Sequence, residues 1–104
     1  MGVLGRRKER AEEVAAEVEN RGSEGLALPA DVLKREQLEI ARDAVLERWG
    51  RVDVLVNAAG GNVPAATVGE DASFFGLPEE ALREVFDLNA SSGPCCRARC
   101  SARR

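Results

Sequence analysis

The run Val52-Asp53-Val54-Leu55-Val56 most constrains what this chain can fold into. It starts one residue after Gly50, past Arg51, and ends in Asn57-Ala58-Ala59-Gly60-Gly61. A short apolar run rich in branched residues and bounded by turn residues predicts a strand buried on both faces. Such strands belong to parallel sheets covered by helices. Asn57 then stands at the carboxyl end of a strand, where open α/β sheets bind ligands. A core strand that simply ends in a polar turn fits the same residues.

The segments upstream agree with that sheet. Met1-Gly-Val-Leu-Gly5 reads as the tail of an apolar strand, followed by Arg6, Arg7 and Lys8. Ala11, Val14, Ala15 and Val18 then recur at helical spacing, and Asn20-Arg21-Gly22 closes the helix. A second strand is expected over 25–32, at a sheet edge or ending near Pro29, because proline cannot donate to a ladder. A second helix is expected over 35–49, with Leu38, Ala41, Val45 and Trp49 on one face and Gly50 as its stop. Short strands alternating with amphipathic helices imply βαβ units, with right-handed crossovers. The expected class is α/β, an incomplete Rossmann-like parallel sheet of about three strands and three helices over 1–89.

Beyond Gly60 the chain reads as a loop to about Leu77, with Phe74 and Phe75 expected to pack back onto the core. A loop this long is usually a functional lid or a disordered segment. Pro78, Glu79 and Glu80 suit the start of a third helix. Leu82, Val85, Phe86 and Asn89 share one of its faces. Asn89 is thus either a polar residue carried to a cleft or a C-terminal cap.

Composition excludes some functions. A net charge of -3 points to neither a nucleic-acid nor a membrane-surface partner. No apolar run is long enough for a bilayer, so a soluble, cytoplasmic-type protein is expected. The chain has no histidine and no tyrosine, which removes two common proton-transfer residues. Its three cysteines are Cys95, Cys96 and Cys100, an unsuitable set for zinc, so no metal is expected.

Asn57-Ala58-Ala59-Gly60 after an apolar strand resembles the Asn-Asn-Ala-Gly motif of the short-chain dehydrogenase/reductase family. Gly5-Arg6-Arg7 is similar to the end of that family's second strand in NADP-preferring members. Asp31-Val32 resembles the pair that flanks the adenine, and Asp87-Leu88-Asn89 stands where the family has its tetrad asparagine. The Gly60-Gly61-Asn62 turn and long loop also look like the fructuronate or mannonate oxidoreductase branch.

The resemblance implies a nicotinamide cofactor and a small-molecule alcohol or carbonyl substrate for the parent enzyme, and the branch resemblance implies a sugar acid. Arg6 and Arg7 would favour the 2′-phosphate of NADP over NAD. Asp31 would bond the adenine amino group, with Val32 beside it. Asn57 would brace neighbouring strands, and Ala58, Ala59 and Gly60 would let the cofactor approach closely. Asn89 would be the catalytic residue that holds a water in a proton relay. Ala58 replaces the family's second asparagine, so that side-chain contact is lost. Without a ligand, Arg6, Arg7 and Lys8 are a solvated basic helix start, poorly placed for the helix dipole.

The family's Gly-rich turn would precede Met1, and its Tyr-x-x-x-Lys would follow Asn89; neither occurs in these residues. The chain as written is therefore expected to be catalytically inactive, and a non-catalytic nucleotide-binding or interaction module is the competing reading. Residues 90–104 lack apolar period and are expected to be unstructured. Read one frame over, from the third base of each codon, they allow Leu-Leu-Gly-Thr-Val-Leu, the buried helix such a family would place there. The tail is accordingly read as a frame-shifted stretch.

Overall fold

The computed structural model describes residues 1–70 and 73–91. Strand β1 (Gly2–Gly5) and strand β2 (Leu26–Pro29) pair in parallel, with Gly2 opposite Leu26 and Gly5 opposite Pro29. β2 ends at Pro29, and the Ala30 amide makes the last ladder bond to the Gly5 carbonyl at 3.0 Å. Helix α1 (Lys8–Asn20) joins the strands, and its Ala11 and Ala15 are buried. Its end forms a Schellman motif: Gly22 N–H donates to Glu19 O at 2.9 Å, and Ser23 N–H to Val18 O at 3.3 Å. Gly22 takes the left-handed φ of 86° that this motif needs.

Helix α1 approaches β2 so closely that a Cβ on Gly25 would lie 2.3 Å from the Ala15 carbonyl oxygen. On the other side, Leu28, Ala30 and Ala41 form the core, with Leu26, Ala44 and Val45 against them. Helix α2 (Arg35–Trp49) supplies that second wall through Leu38, Ala41 and Val45 and stops at Gly50, whose φ is 73°. Its last residue, Trp49, donates its indole N–H to the Glu24 carboxylate. The period of four in each helix and of two in β2 therefore place α1 and α2 on opposite sheet faces.

Past Gly50 the structure departs from expectation. The segment 51–63 has no regular secondary structure, so Val52–Val56 is not a third strand. Val54 and Val56 are each 79% exposed. The sheet has two strands, and among the described residues no strand lies along the second edge of β1. A four-residue apolar run takes its extended form from ladder bonds and two-sided burial, and here it has neither.

Two other expectations are corrected. Phe74 and Phe75 are 68% and 96% exposed; their rings meet edge-to-face at 5.7 Å and do not return to the core. They sit on a 3-10 turn, Phe74–Gly76, one of two short turns in the loop, the other being Pro64–Ala66. Helix α3 (Glu79–Phe86) starts right after Pro78 as expected, but it buries Ala81, while Leu82 and Phe86 stay exposed. The helix runs into a π turn, Asp87–Ser91.

The chain exposes 8022 Å², against roughly 5,700 Å² for a folded monomer of this mass. Its radius of gyration is 16.5 Å, where a compact domain of this length has about 13 Å. Leu4 on β1, Val54 and Val56 in 52–56, and Leu82 and Phe86 on α3 stay exposed, with no covering layer among the described residues. The tail expected over 90–104 lies, from residue 92 onward, outside the described residues.

Candidate functional site

An open groove of about 560 Å³ lies against β1 and the first two turns of α1. Val3, Leu4 and Gly5 line it from the strand; Arg6, Arg7, Arg10, Ala11 and Val14 line it from the turn and helix. Helical spacing explains the wall, because Arg7, Arg10, Ala11 and Val14 follow at steps of three and four. Val14 is 38% exposed because it faces this groove rather than the core. None of the lining residues is acidic.

The arginines of the groove differ from the others. Arg21, Arg35, Arg42, Arg48, Arg51 and Arg83 each pair with a carboxylate. The guanidinium groups of Arg6, Arg7 and Arg10 have no such partner among the described residues, although Glu13 stands three residues from Arg10 on the helix. Arg7 is also the N-cap residue of α1 and makes no side-chain capping bond. Unpaired cations at the positive end of a helix are unfavourable until an anion arrives. Lys8, in contrast, pairs with Glu12 at 3.6 Å and does not line the groove. Arg10 was absent from the sequence reading, although its spacing from Arg6 and Arg7 was a signal that could have found it.

Asp31 and Val32 are half-buried just beyond β2 and do not line the groove. Asp31 Oδ1 accepts the Leu33 N–H at 3.0 Å, and its own N–H donates to Gln37 Oε1 at 2.7 Å. This side-chain-to-backbone turn leads the chain into α2 and fixes the carboxylate. Asp31 Oδ2 has no partner among the described residues.

The other site candidates lie on the second half of the chain. Asn57, Ala58, Ala59 and Gly60 are all exposed. Asn89 sits in the π turn after α3, and its carboxamide is fully engaged. Nδ2 donates to Gly61 O and to Val85 O, both at 2.8 Å, and Oδ1 accepts the Gly61 N–H at 3.0 Å. Asn89 thereby pairs with Gly61 as one residue of a ladder pairs with another. A Cβ on Gly60 would come within 2.8 Å of Asn89 Oδ1, so only glycine fits this contact unchanged. Structure thus joins Asn89 to the glycine turn; it does not join Asn57, Ala58 or Ala59 to the groove wall. Gly61, the partner of Asn89, was read from sequence only as part of a turn.

Among the described residues, no group of three or more metal-ligating side chains occurs, and no helix is long and apolar enough to cross a membrane.

Comparison with known proteins covers nearly the whole chain. A profile of the short chain dehydrogenase family matches residues 1–99. The uncharacterized oxidoreductase UxuB of Bacillus subtilis (strain 168) is 37% identical, over 86% of this chain and 35% of the relative. A peroxisomal 2,4-dienoyl-CoA reductase of Arabidopsis thaliana is 33% identical, over 86% of this chain and 28% of the relative. Among solved structures, a protein of Haemophilus influenza assigned as a D-mannonate oxidoreductase, with bound NAD, superposes with a TM-score of 0.86 and 27% identity. That match covers 96% of this chain and 39% of the other. A 3-ketoacyl-ACP reductase of Sinorhizobium meliloti 1021 gives a TM-score of 0.79 at 29% identity, over 93% of this chain and 36% of the other. The chain spans about a third of the length of the relatives it matches.

Proposed function

The chain belongs to the short-chain dehydrogenase/reductase family, and from that premise we propose that residues 1–89 are the adenosine-binding part of an NAD(P)-dependent oxidoreductase. The parent enzyme interconverts an alcohol and a ketone on a small molecule, with a sugar acid as the substrate class. What supports this reading is the groove at the end of β1, where Arg6 and Arg7 stand unpaired over an apolar floor. A guanidinium at that position favours a 2′-phosphate, whereas an acid would favour free ribose hydroxyls, so NADP is preferred over NAD. Asp31, held by the Leu33 and Gln37 bonds, offers Oδ2 to the adenine amino group, with Val32 beside it. Ala58, Ala59 and Gly60 keep a low profile where the cofactor backbone passes.

A bound nicotinamide would give hydride to the ketone in its reduced form and take it from the alcohol in its oxidised form. Asn89 ties the glycine turn to α3 and so positions the segment next to the reacting centre. Its carboxamide is committed to protein partners, which leaves its backbone carbonyl as the group that holds a relay water. An acid for the carbonyl oxygen is the function these residues do not supply, because the chain has no tyrosine. Alone, therefore, the 104 residues bind nucleotide without turnover, in a cytoplasmic setting.

Calorimetric titration of the 104-residue chain with NADP⁺ and NAD⁺ tests this, alongside absorbance assays of reduced nicotinamide with D-mannonate and D-fructuronate. The expected result is tighter binding of NADP⁺ and no turnover. Binding of neither nucleotide refutes the adenosine-site reading. Turnover of either sugar acid refutes the inactivity.

A further inference from the structure

We propose that the free edge of β1 docks residues 52–56 of a second copy of this chain, an antiparallel exchange that closes a two-fold dimer. The inference goes beyond the cofactor reading and does not rest on it. The two edges of the sheet are not alike. The Leu26 amide donates to the Met1 carbonyl and the Ala30 amide to the Gly5 carbonyl, both at 3.0 Å. Residues alternate along a strand, so 1, 3 and 5 face β2, while Gly2 and Leu4 turn their N–H and C=O groups to the open side. By the same alternation Ala27 and Pro29 face the far edge of β2, where Pro29 has no N–H to give. Proline blunts that edge. The edge of β1 keeps its donors and acceptors and is a template for a further strand. Among the described residues no strand occupies it.

The chain also carries a segment of strand composition without a partner, Val52-Asp53-Val54-Leu55-Val56, in which Val54 and Val56 are each 79% exposed. Laid antiparallel with Leu55 opposite Leu4, it brings Asp53 beside Arg6, Val54 beside Gly5 and Val56 beside Val3, so charge meets opposite charge and apolar meets apolar. Arg6 has no carboxylate of its own among the described residues, and Asp53 holds only Arg51, in an exposed pair at 3.1 Å. The parallel alignment leaves Asp53 beside Gly2 and makes no charge pair. The occupant is a second copy because of where α2 ends. Trp49 bonds Glu24, just before β2 begins, so a strand after Gly50 of the same chain would run parallel to β1. Each copy has one free edge and one free segment, so exchange in both directions satisfies both and stops at two chains. The surface suffices for it. The chain exposes 8022 Å², and the excess over the roughly 5,700 Å² of a folded monomer of this mass is larger than the about 800 Å² that each partner gives to a standard interface.

The test is sedimentation equilibrium of the full 104-residue chain over a range of concentrations, with reductant present so that Cys95, Cys96 and Cys100 form no disulfide. A monomer–dimer equilibrium is expected. Arg6→Asp and Asp53→Arg should each weaken it about tenfold, because two symmetry-related pairs turn from opposite to like charge. The double variant, Arg6→Asp with Asp53→Arg, should return to the constant of the unaltered chain. Leu4→Pro removes an outward N–H without removing a bond to β2, so it should abolish the dimer and keep the helical circular dichroism. If Leu4→Pro unfolds, the charge exchange at the exposed Arg6 and Asp53 decides alone. A chain that stays monomeric at every concentration overturns the proposal, and so does assembly that runs past two chains. A dimer indifferent to both charge reversals lies on another surface and overturns it as well. A double variant no stronger than either single one overturns the pairing of Arg6 with Asp53 and with it the antiparallel register.

Discussion

Removing the Asn89 carboxamide deletes the side-chain hydrogen bonds that tie the glycine turn to the end of α3. Asn89→Ala deletes three hydrogen bonds, two donated by Nδ2 at 2.8 Å and one accepted by Oδ1 at 3.0 Å. Each would be worth about 0.5–1.5 kcal/mol net. Because the site is exposed, water takes over the released groups, and about 0.5 kcal/mol each is the appropriate end of that range. The sum is about 1.5 kcal/mol, or roughly tenfold in a local opening equilibrium. Asn89→Asp is a sharper probe. It keeps an acceptor for the Gly61 N–H but points a carboxylate oxygen at the Gly61 and Val85 carbonyls, so it is expected to cost more than the alanine. Native-state hydrogen exchange of the Gly61 amide, read by NMR, measures both. Exchange about ten times faster in Asn89→Ala, and faster still in Asn89→Asp, is expected. An unchanged Gly61 rate in Asn89→Ala, or an aspartate milder than the alanine, refutes the argument that the carboxamide holds this turn.

Other outcomes follow from the same geometry. Gly25→Ala places a Cβ 2.3 Å from the Ala15 carbonyl oxygen. It should lower stability to urea by about 1–3 kcal/mol, whereas Gly5→Ala, with nothing within 4 Å, should leave the midpoint unchanged. Gly50→Ala puts a side chain at φ 73° and should cost about 1 kcal/mol, visible as lost helicity in α2. Where the chain is monomeric, the amides of 53–56 should exchange at nearly unprotected rates; strong protection there would mean that the segment is paired within its own chain after all. The nucleotide sequence past the Asn89 codon, read in the shifted frame, should continue through the Leu-Leu-Gly-Thr-Val-Leu run to a Tyr-x-x-x-Lys, and unrelated residues would sink the frame-shift reading of the tail.

Local signals in the sequence were enough for the first half of the fold. Helix α1 and helix α2 follow from their apolar spacing and from Gly22 and Gly50, whose positive φ marks each stop. β2 stops at Pro29 because a missing N–H is a property of one residue, independent of neighbours. The family resemblance was legible for the same reason: its motifs are short and follow one another along the chain. Only tertiary structure could decide the rest. Val52–Val56 has strand composition, yet a strand exists only where a second backbone bonds to it, and none lies beside it among the described residues. Phe74, Phe75, Leu82 and Phe86 have core composition, but burial needs an opposing layer, and they face solvent. Which arginines are left unpaired depends on where carboxylates lie in space, so Arg10 joined Arg6 and Arg7 only once the groove was seen. The amino acids determined which segments can become helix, strand or turn, and tertiary packing determined which of them found a partner.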